Sequence, residues 1–501
     1  MVLTGLLARV LALSCLIAAG NAVAADALAS AAMGLDEARH LLARTGFGPT
    51  QAELRSFAAL TREQAVARVL APAPAAAAAP PPAWVKDAPR PPRELRNLSV
   101  EERRAYQQQQ LRQSFELRAW WIREMLATPS PLTERMTLFW HNHFTSSQQK
   151  VRYAQLMFRQ NALLREHALG NFATLLHAAS KDPAMIIYLD SATNRKDKPN
   201  ENFAREVMEL FTLGEGHYTE ADIREAARAF TGWSLEQDTV EFRNRPFLHD
   251  FGEKTVLGQR GRFDGDEVLD ILLAQPRSAE FIVGKLWREF VSPDPDAAEV
   301  RRIAAAFRDS RYDIRTALCE LLLSPLFWQE DHRAVLVKSP VEFVVGSLRQ
   351  FDLPVDDAAS LSMVMAGLGQ NLFAPPNVKG WPGGEAWINS ATLLARKQFV
   401  ERLFRTEEAF RPSAESAPMM DTVRRPQRQA LIPAAAGARR AAPLNLPLFE
   451  SRRWFSGFSG GRDPAVEQLL LAAAPANPVP AELAGREWVR HLAMDPVFQL
   501  K

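Results

Sequence analysis

Between residues 181 and 210 the chain reads KDPAMIIYLDSATNRKDKPNENFAREVMEL. Asp182, Asp190, Asn194, Asn200, Asn202, Glu206 and Glu209 crowd together here, beside a stretch, AMIIYLD, that is too apolar to be superficial. Carboxylates gathered near a histidine, His143 or His217, can hold a divalent ion or act as general acid and base. The acid/base candidates are therefore His143, Asp182, Asp190, Glu206 and Glu209. Asn194, Asn200, Asn202, Arg205 and His217 are the polar groups available to hold a ligand beside them. The spacing matches neither HExxH nor the calcium-loop pattern. A solvated helix face explains Glu206 and Glu209 equally well.

His141 and His143 form a His-x-His pair. On a strand such a pair can share one metal ion, because i and i+2 point the same way. On a helix the two lie about 200° apart and cannot. Met136, Phe139, Trp140 and His143 fall at i, i+3, i+4 and i+7, so the segment reads as a helix with His143 on its buried stripe and His141 nearly opposite. A core or capping histidine and a chemical one both fit.

Further along, APPNVKGWPGGEAWINS (374–390) packs Pro, Gly and Trp into a rigid loop carrying Asn377, Lys379, Trp381 and Trp387. Trp on a stiff loop can hold a sugar ring or peptide, or can plug a core. His249-Asp250 with Lys254 is another polar cluster, whereas Phe263-Asp264-Gly265-Asp266 is accounted for by turn formation and helix capping.

The elements that must position these groups are almost all helices. Asp182 precedes Pro183, the order of an N-cap and first helical turn. Asn200 is placed as the N-cap of the next helix, in which Asn202, Glu206 and Glu209 (i, i+4, i+7) share one face and Glu201 and Arg205 (i, i+4) are spaced for an ion pair. Gly214 closes that helix, and Thr219 with Asp222 opens another with a capping box. Further helices are expected near 266–275, 278–292, 296–308, 313–323 and 340–350. Residues 240–258 lack a helical stripe and suit a short hairpin or ordered loop. IRTALCELLLSPLFWQ (314–329) and REWVRHLAMDPVFQL (486–500) echo one another, although two unrelated helix endings explain the echo, since Pro commonly follows a helix.

These patterns predict a mainly α protein: one large multi-helix globular domain with long ordered loops and Ala/Pro-rich insertions. Residues 1–24 read as a signal peptide, with Arg9, the short apolar run Val10–Ala19 and a small-residue cleavage site at Ala22-Val23-Ala24. Residues 25–70 supply N-terminal helices, 71–93 an Ala/Pro-rich linker, 94–410 the main helical domain, 411–447 a disordered insertion and 448–501 a C-terminal helical cap. The apolar run is shorter than the roughly 20 residues that span a bilayer, so the expectation is an exported chain, periplasmic or extracellular, with no stable membrane insertion of its mature form. Cys15 leaves with the signal, so Cys319 is the lone cysteine of the mature chain and stability must come from the core; 47% hydrophobic residues permit a large one. Sixty basic against 58 acidic residues give no general nucleic-acid surface.

HLLARTGFGPT (40–50), FWHNHF (139–144), KDPAMIIYLD, PNENFAREVMELFTLGEGHYTEADIREAARAFTGW (199–233), FDGDEVLDILL (263–273), KSPVEFVVGSLR (338–349) and PPNVKGWPGGEAWINSATLLAR (375–396) together resemble the bacterial family called domain of unknown function 1800. The resemblance spans nearly the whole mature chain in the expected order. It implies an exported helical protein, encoded beside a secreted partner of the family called domain of unknown function 1501, whose fold is similar to phosphatases and sulfatases. It implies no established activity. Many relatives have His where this chain has Phe211, so a metal role there does not carry over. Two functions follow as expectations. One is a binding or assembly factor acting with that partner. The other is a periplasmic hydrolase, metal-dependent or acid/base, built on His143, Asp182, Asp190, Glu206 and Glu209.

Overall fold

A computed structural model describes residues 31–72, 76–405, 449–459 and 462–501. The signal-peptide and 411–447 expectations fall outside the described residues.

Hydrophobic stripes and caps place the helices. The expected helices are found at Gly265–Ala274, Pro276–Phe290, Ala297–Asp309, Ile314–Leu322 and Pro340–Gln350. Side-chain caps fix several starts: Asp264 accepts from the Glu267 amide, Thr219 from that of Asp222 and Ser339 from that of Glu342. Each such cap is worth about 1 kcal/mol. The expected hairpin region, 240–258, supplies one strand to each of two small antiparallel pairs, whose partner strands lie just outside it. Trp233–Leu235 pairs with Phe242–Asn244, and Lys254–Val256 pairs with Gln259–Gly261.

One continuous core links all these helices. At its centre lies the Pro131–His143 helix, where every residue except Pro131 and Asn142 is buried. The one-stripe picture of this helix is thus corrected. It is enclosed on all sides, so His141, placed nearly opposite His143 by helical geometry, is as deeply buried as His143. Glu134 is held in this interior by Arg165, whose Nη2 donates to it at 2.9 Å, and by the Trp121 indole N–H at 2.9 Å.

Residues 76–93 of the Ala/Pro-rich stretch touch the core at Ala79 and Val85. Ala79 is buried, its amide donating to Glu124 and its carbonyl accepting from the Trp120 indole at 3.0 Å; Ala83–Lys86 forms a 3₁₀ turn. The two echoing segments share a local design. Each helix ends in a Pro-aromatic 3₁₀ turn, capped by Ser324 in one case and Asp495 in the other. An isolated bridge pairs Val337 with Leu500, and Lys338 donates to the Phe498 carbonyl at 2.8 Å, tying residues 498–500 to residues 337–338. Among the described residues no helix is long and apolar enough to cross a membrane.

Candidate functional site

The acidic segment divides into separate environments. Asp182 is buried and caps the Pro183–Tyr188 helix, accepting from the Met185 amide at 3.0 Å and from Gln160 Nε2 at 2.8 Å. Burial pushes its carboxyl up to about 7 against these hydrogen bonds. Asp190, by contrast, is exposed and pairs with Lys150 at 2.6 Å. Asn194 is buried and holds backbone, donating to Ala227 O and accepting from the Asn200 amide.

The helix that follows starts at Asn202, with Glu201 rather than Asn200 in the N-cap position. Asn200 still serves as a local acceptor, taking the Asn202 amide at 3.0 Å. The Asn202 side chain turns back to donate to Leu189 O at 3.0 Å. After Glu206 the backbone widens into a π-helix, Val207–Thr212, which closes on Gly214 in the left-handed region (φ 84°). The α-helical i+7 face therefore cannot be carried through to Glu209. Amphipathic patterning leaves such a widening invisible. Glu206 and Glu209 still interact: burial first, then the Glu209 charge, raises the Glu206 carboxyl. Glu209 accepts from Tyr218 Oη at 2.6 Å and faces Lys379 at 4.0 Å. Arg205 pairs chiefly with Glu220, at 2.7 Å, and with Glu201 at 3.5 Å. His217 is exposed in the turn before Thr219.

His143 stands apart from these carboxylates. One ring nitrogen, Nε2, lies 3.2 Å from Phe211 O in the π-helix, and the other, Nδ1, lies 2.9 Å from Lys285 Nζ. A carbonyl only accepts, so Nε2 carries the proton and Nδ1 accepts from the lysine. Burial, and then the Lys285 charge, holds the ring far below its usual range, so it is neutral. Among the described residues His141 has no hydrogen-bond partner, and it is packed by Trp121, Phe373 and Trp381. Burial lowers it to about 4.

His143 opens instead onto a cleft of about 430 Å³. Arg135, Phe139 and Asn142 (i, i+4, i+7) bring one face of the central helix to it, and Lys285, Arg288 and Glu289 (i, i+3, i+4) one face of the Pro276–Phe290 helix. The Gly/Trp loop forms the far wall. Asn142 Oδ1 accepts the Trp381 amide at 2.7 Å, and Gly380 (φ 81°) lies so close to Asn142 that a Cβ would collide with it. Trp381 and Trp387 are buried rather than displayed, each with an edge on the cleft. Lys379 and Asn377 are exposed; Asn377 Oδ1 accepts the Lys379 amide and shapes the turn.

Five basic side chains, Arg135, Lys285, Arg288, Lys379 and Lys501, line this cleft with two carboxylates, Glu289 and Glu342. Arg135 and Lys501 both contact Glu342 and bring its carboxyl down to about 2 despite its burial. Lys285 and Arg288 have no carboxylate within ion-pair distance among the described residues. Burial, and then the Arg288 charge, lowers the Lys285 amine to about 8. Sequence reading missed Arg135, Lys285, Arg288, Glu342 and Lys501, because they come from four separate stretches of the chain, with only Lys285 and Arg288 sharing a helix. Among the described residues no group of three or more His, Cys, Asp and Glu is arranged to hold a metal ion.

Residues 40–500 match the family described as Protein of unknown function (DUF1800), and the chain belongs to that family. No curated protein and no solved structure matches it.

Proposed function

We propose that this DUF1800 protein is a binding factor whose cleft beside His143 takes an anionic group, the sulfate or phosphate ester of an envelope or extracellular glycan. The observation that carries this is the pair Lys285 and Arg288, two cations lining a walled cleft with no carboxylate partner among the described residues. Charge-assisted donors of this kind suit oxyanions, and the Trp381 and Trp387 edges offer apolar surface beside them. A ligand of this chemistry agrees with a secreted partner of phosphatase- or sulfatase-like fold. That partner, and export through the Arg9 and Val10–Ala19 signal, belong to the same proposal.

Hydrolysis by His143 with Asp182, Asp190, Glu206 and Glu209 has less support. Both ring nitrogens of His143 are engaged by Phe211 O and Lys285 Nζ, and Asp182 is enclosed by Gln160 and the Met185 amide.

The test is calorimetric titration of the full chain with a sugar sulfate, a sugar phosphate and the unmodified sugar. Binding of an ester and not of the parent sugar, weakened about tenfold or more in Lys285→Met, is the expected result; tenfold corresponds to about 1.4 kcal/mol. Equal affinity for the unmodified sugar, or no binding of either ester, removes the reading.

A further inference from the structure

A second feature lies behind the cleft and has a different chemistry. Arg39, on the Gly34–Thr45 helix, is only 4% exposed, yet its Nε and Nη2 have no hydrogen-bond partner among the described residues. An unpaired buried guanidinium is costly, and native interiors rarely leave one. Asp36, three residues before it on the same helix, exerts a countercharge on Arg39 but forms no ion pair with it, and the other side adds positive charge. Lys338 and Lys501 are also buried, and with Arg39 they line a small void completed by Glu342, Gln350 and Phe47. Glu342 is the one carboxylate on that wall, and Arg135 and Lys501 already engage it. Lys338 gives one of its three donors to Phe498 O at 2.8 Å, with the ring of Phe498 4.3 Å beneath it. Nearby Arg44 and Arg396 add two more buried cations, each donating to backbone carbonyls rather than to a carboxylate.

We propose that a single chloride ion occupies the void between Arg39, Lys338 and Lys501 and neutralises this buried positive charge. The void measures about 10 Å³, the room needed for the centre of one water-sized particle. Among anions a halide comes nearest to that size, being only slightly larger than a water molecule, whereas sulfate or phosphate far exceeds it, so this site and the oxyanion cleft select different ligands. Access is available too. Arg39 also lines an open cleft of about 420 Å³ with Asp36, His40 and Arg333. The ion ties the N-terminal helix to the segment that begins the Pro340–Gln350 helix, and so acts on stability.

The test is the thermal unfolding midpoint of the full chain in sodium chloride, bromide and gluconate at constant ionic strength. Ligand linkage predicts a midpoint that climbs with halide over about a hundredfold range and stays flat in gluconate. In Arg39→Met the halide response disappears, while sugar-sulfate binding at the cleft persists. Should that variant fail to fold, wild-type crystals grown in bromide answer directly, with an anomalous scattering peak between Arg39 and Lys338. Equal midpoints in chloride and gluconate, a halide response that survives in Arg39→Met, or no peak in bromide overturns the proposal.

Discussion

Lys285 Nζ donates to His143 Nδ1 across 2.9 Å, while the opposite ring nitrogen of His143 is held by Phe211 O at 3.2 Å. The histidine is therefore fixed as a neutral acceptor, and the titrating member of the pair is the lysine. With its amine brought down to about 8 by burial and by Arg288, Lys285 loses its charge within an accessible range. Affinity for an anionic sugar ester should fall as pH rises through about 8, and Lys285→Arg should hold it level over the same range. Titrations at pH 6.5, 7.5 and 9 check this; a wild-type affinity unchanged across them refutes it.

Gly380 is required where the Gly/Trp loop meets Asn142. It combines a left-handed φ of 81° with no room for a Cβ. Gly380→Ala is expected to displace the loop and weaken ester binding, with a stability loss on the order of 1–3 kcal/mol from strain. Gly383, also left-handed (φ 72°) but with open space around it, should show the smaller loss in Gly383→Ala. Comparing the two denaturation midpoints decides the point, and equal losses would count against a packing role for Gly380.

Arg165 and Glu134 form an ion pair with both side chains nearly fully buried. Removing Arg165 alone strands a charge inside the core. Arg165→Met should cost about 3–5 kcal/mol, and the double replacement Arg165→Met with Glu134→Leu should cost less than Arg165→Met alone. Chemical denaturation of the single and double variants provides the comparison. A double variant that is the less stable of the two would show the pair to be a net source of stability.

Asp182 makes an opposite kind of prediction, because its folded carboxyl is raised from the ordinary 3.8 to about 7. The folded state therefore binds the extra proton between those values, and stability from this group declines as pH rises from about 4 to 7. Asp182→Asn keeps an oxygen for the Met185 amide and Gln160, so it should remove that decline while preserving the cap. Parallel stability–pH curves for the variant and the wild type would falsify this.

How much was legible beforehand follows from the range of the interactions. The helices at 265–274, 276–290 and 340–350 are written locally, in apolar stripes and in caps such as Asp264 and Ser339. Pro131, Pro183 and Gly214 punctuate as their chemistry dictates. The π-helix after Glu206 was not legible, since Val207, Leu210 and Phe211 satisfy an α-helical stripe just as well. Nor was the cleft. His143, Lys285, Glu342 and Lys501 come from four distant stretches, and each basic residue alone looks like part of a wet helix face. The one local hint was Lys285 itself, a charge beside the apolar run Ile282, Val283, Leu286 and Trp287. The Asp-rich 181–210 segment attracted attention through density, yet much of its polarity, in Asp182, Asn194 and Asn202, serves to hold backbone.

The bridge between Val337 and Leu500 has a kinetic consequence. It belongs to a set of long-range ties that includes His40 to Phe327 O at 2.8 Å and Arg349 to Glu53 at 2.7 Å. Such contacts reward the chain only after loops of hundreds of residues have closed, and folding slows as that separation grows. Neither half of this protein carries its own complete set of partners. A partly synthesised chain must wait with apolar helices uncovered, so folding is expected to be slow, to pass through incompletely packed intermediates and to depend on protection from aggregation.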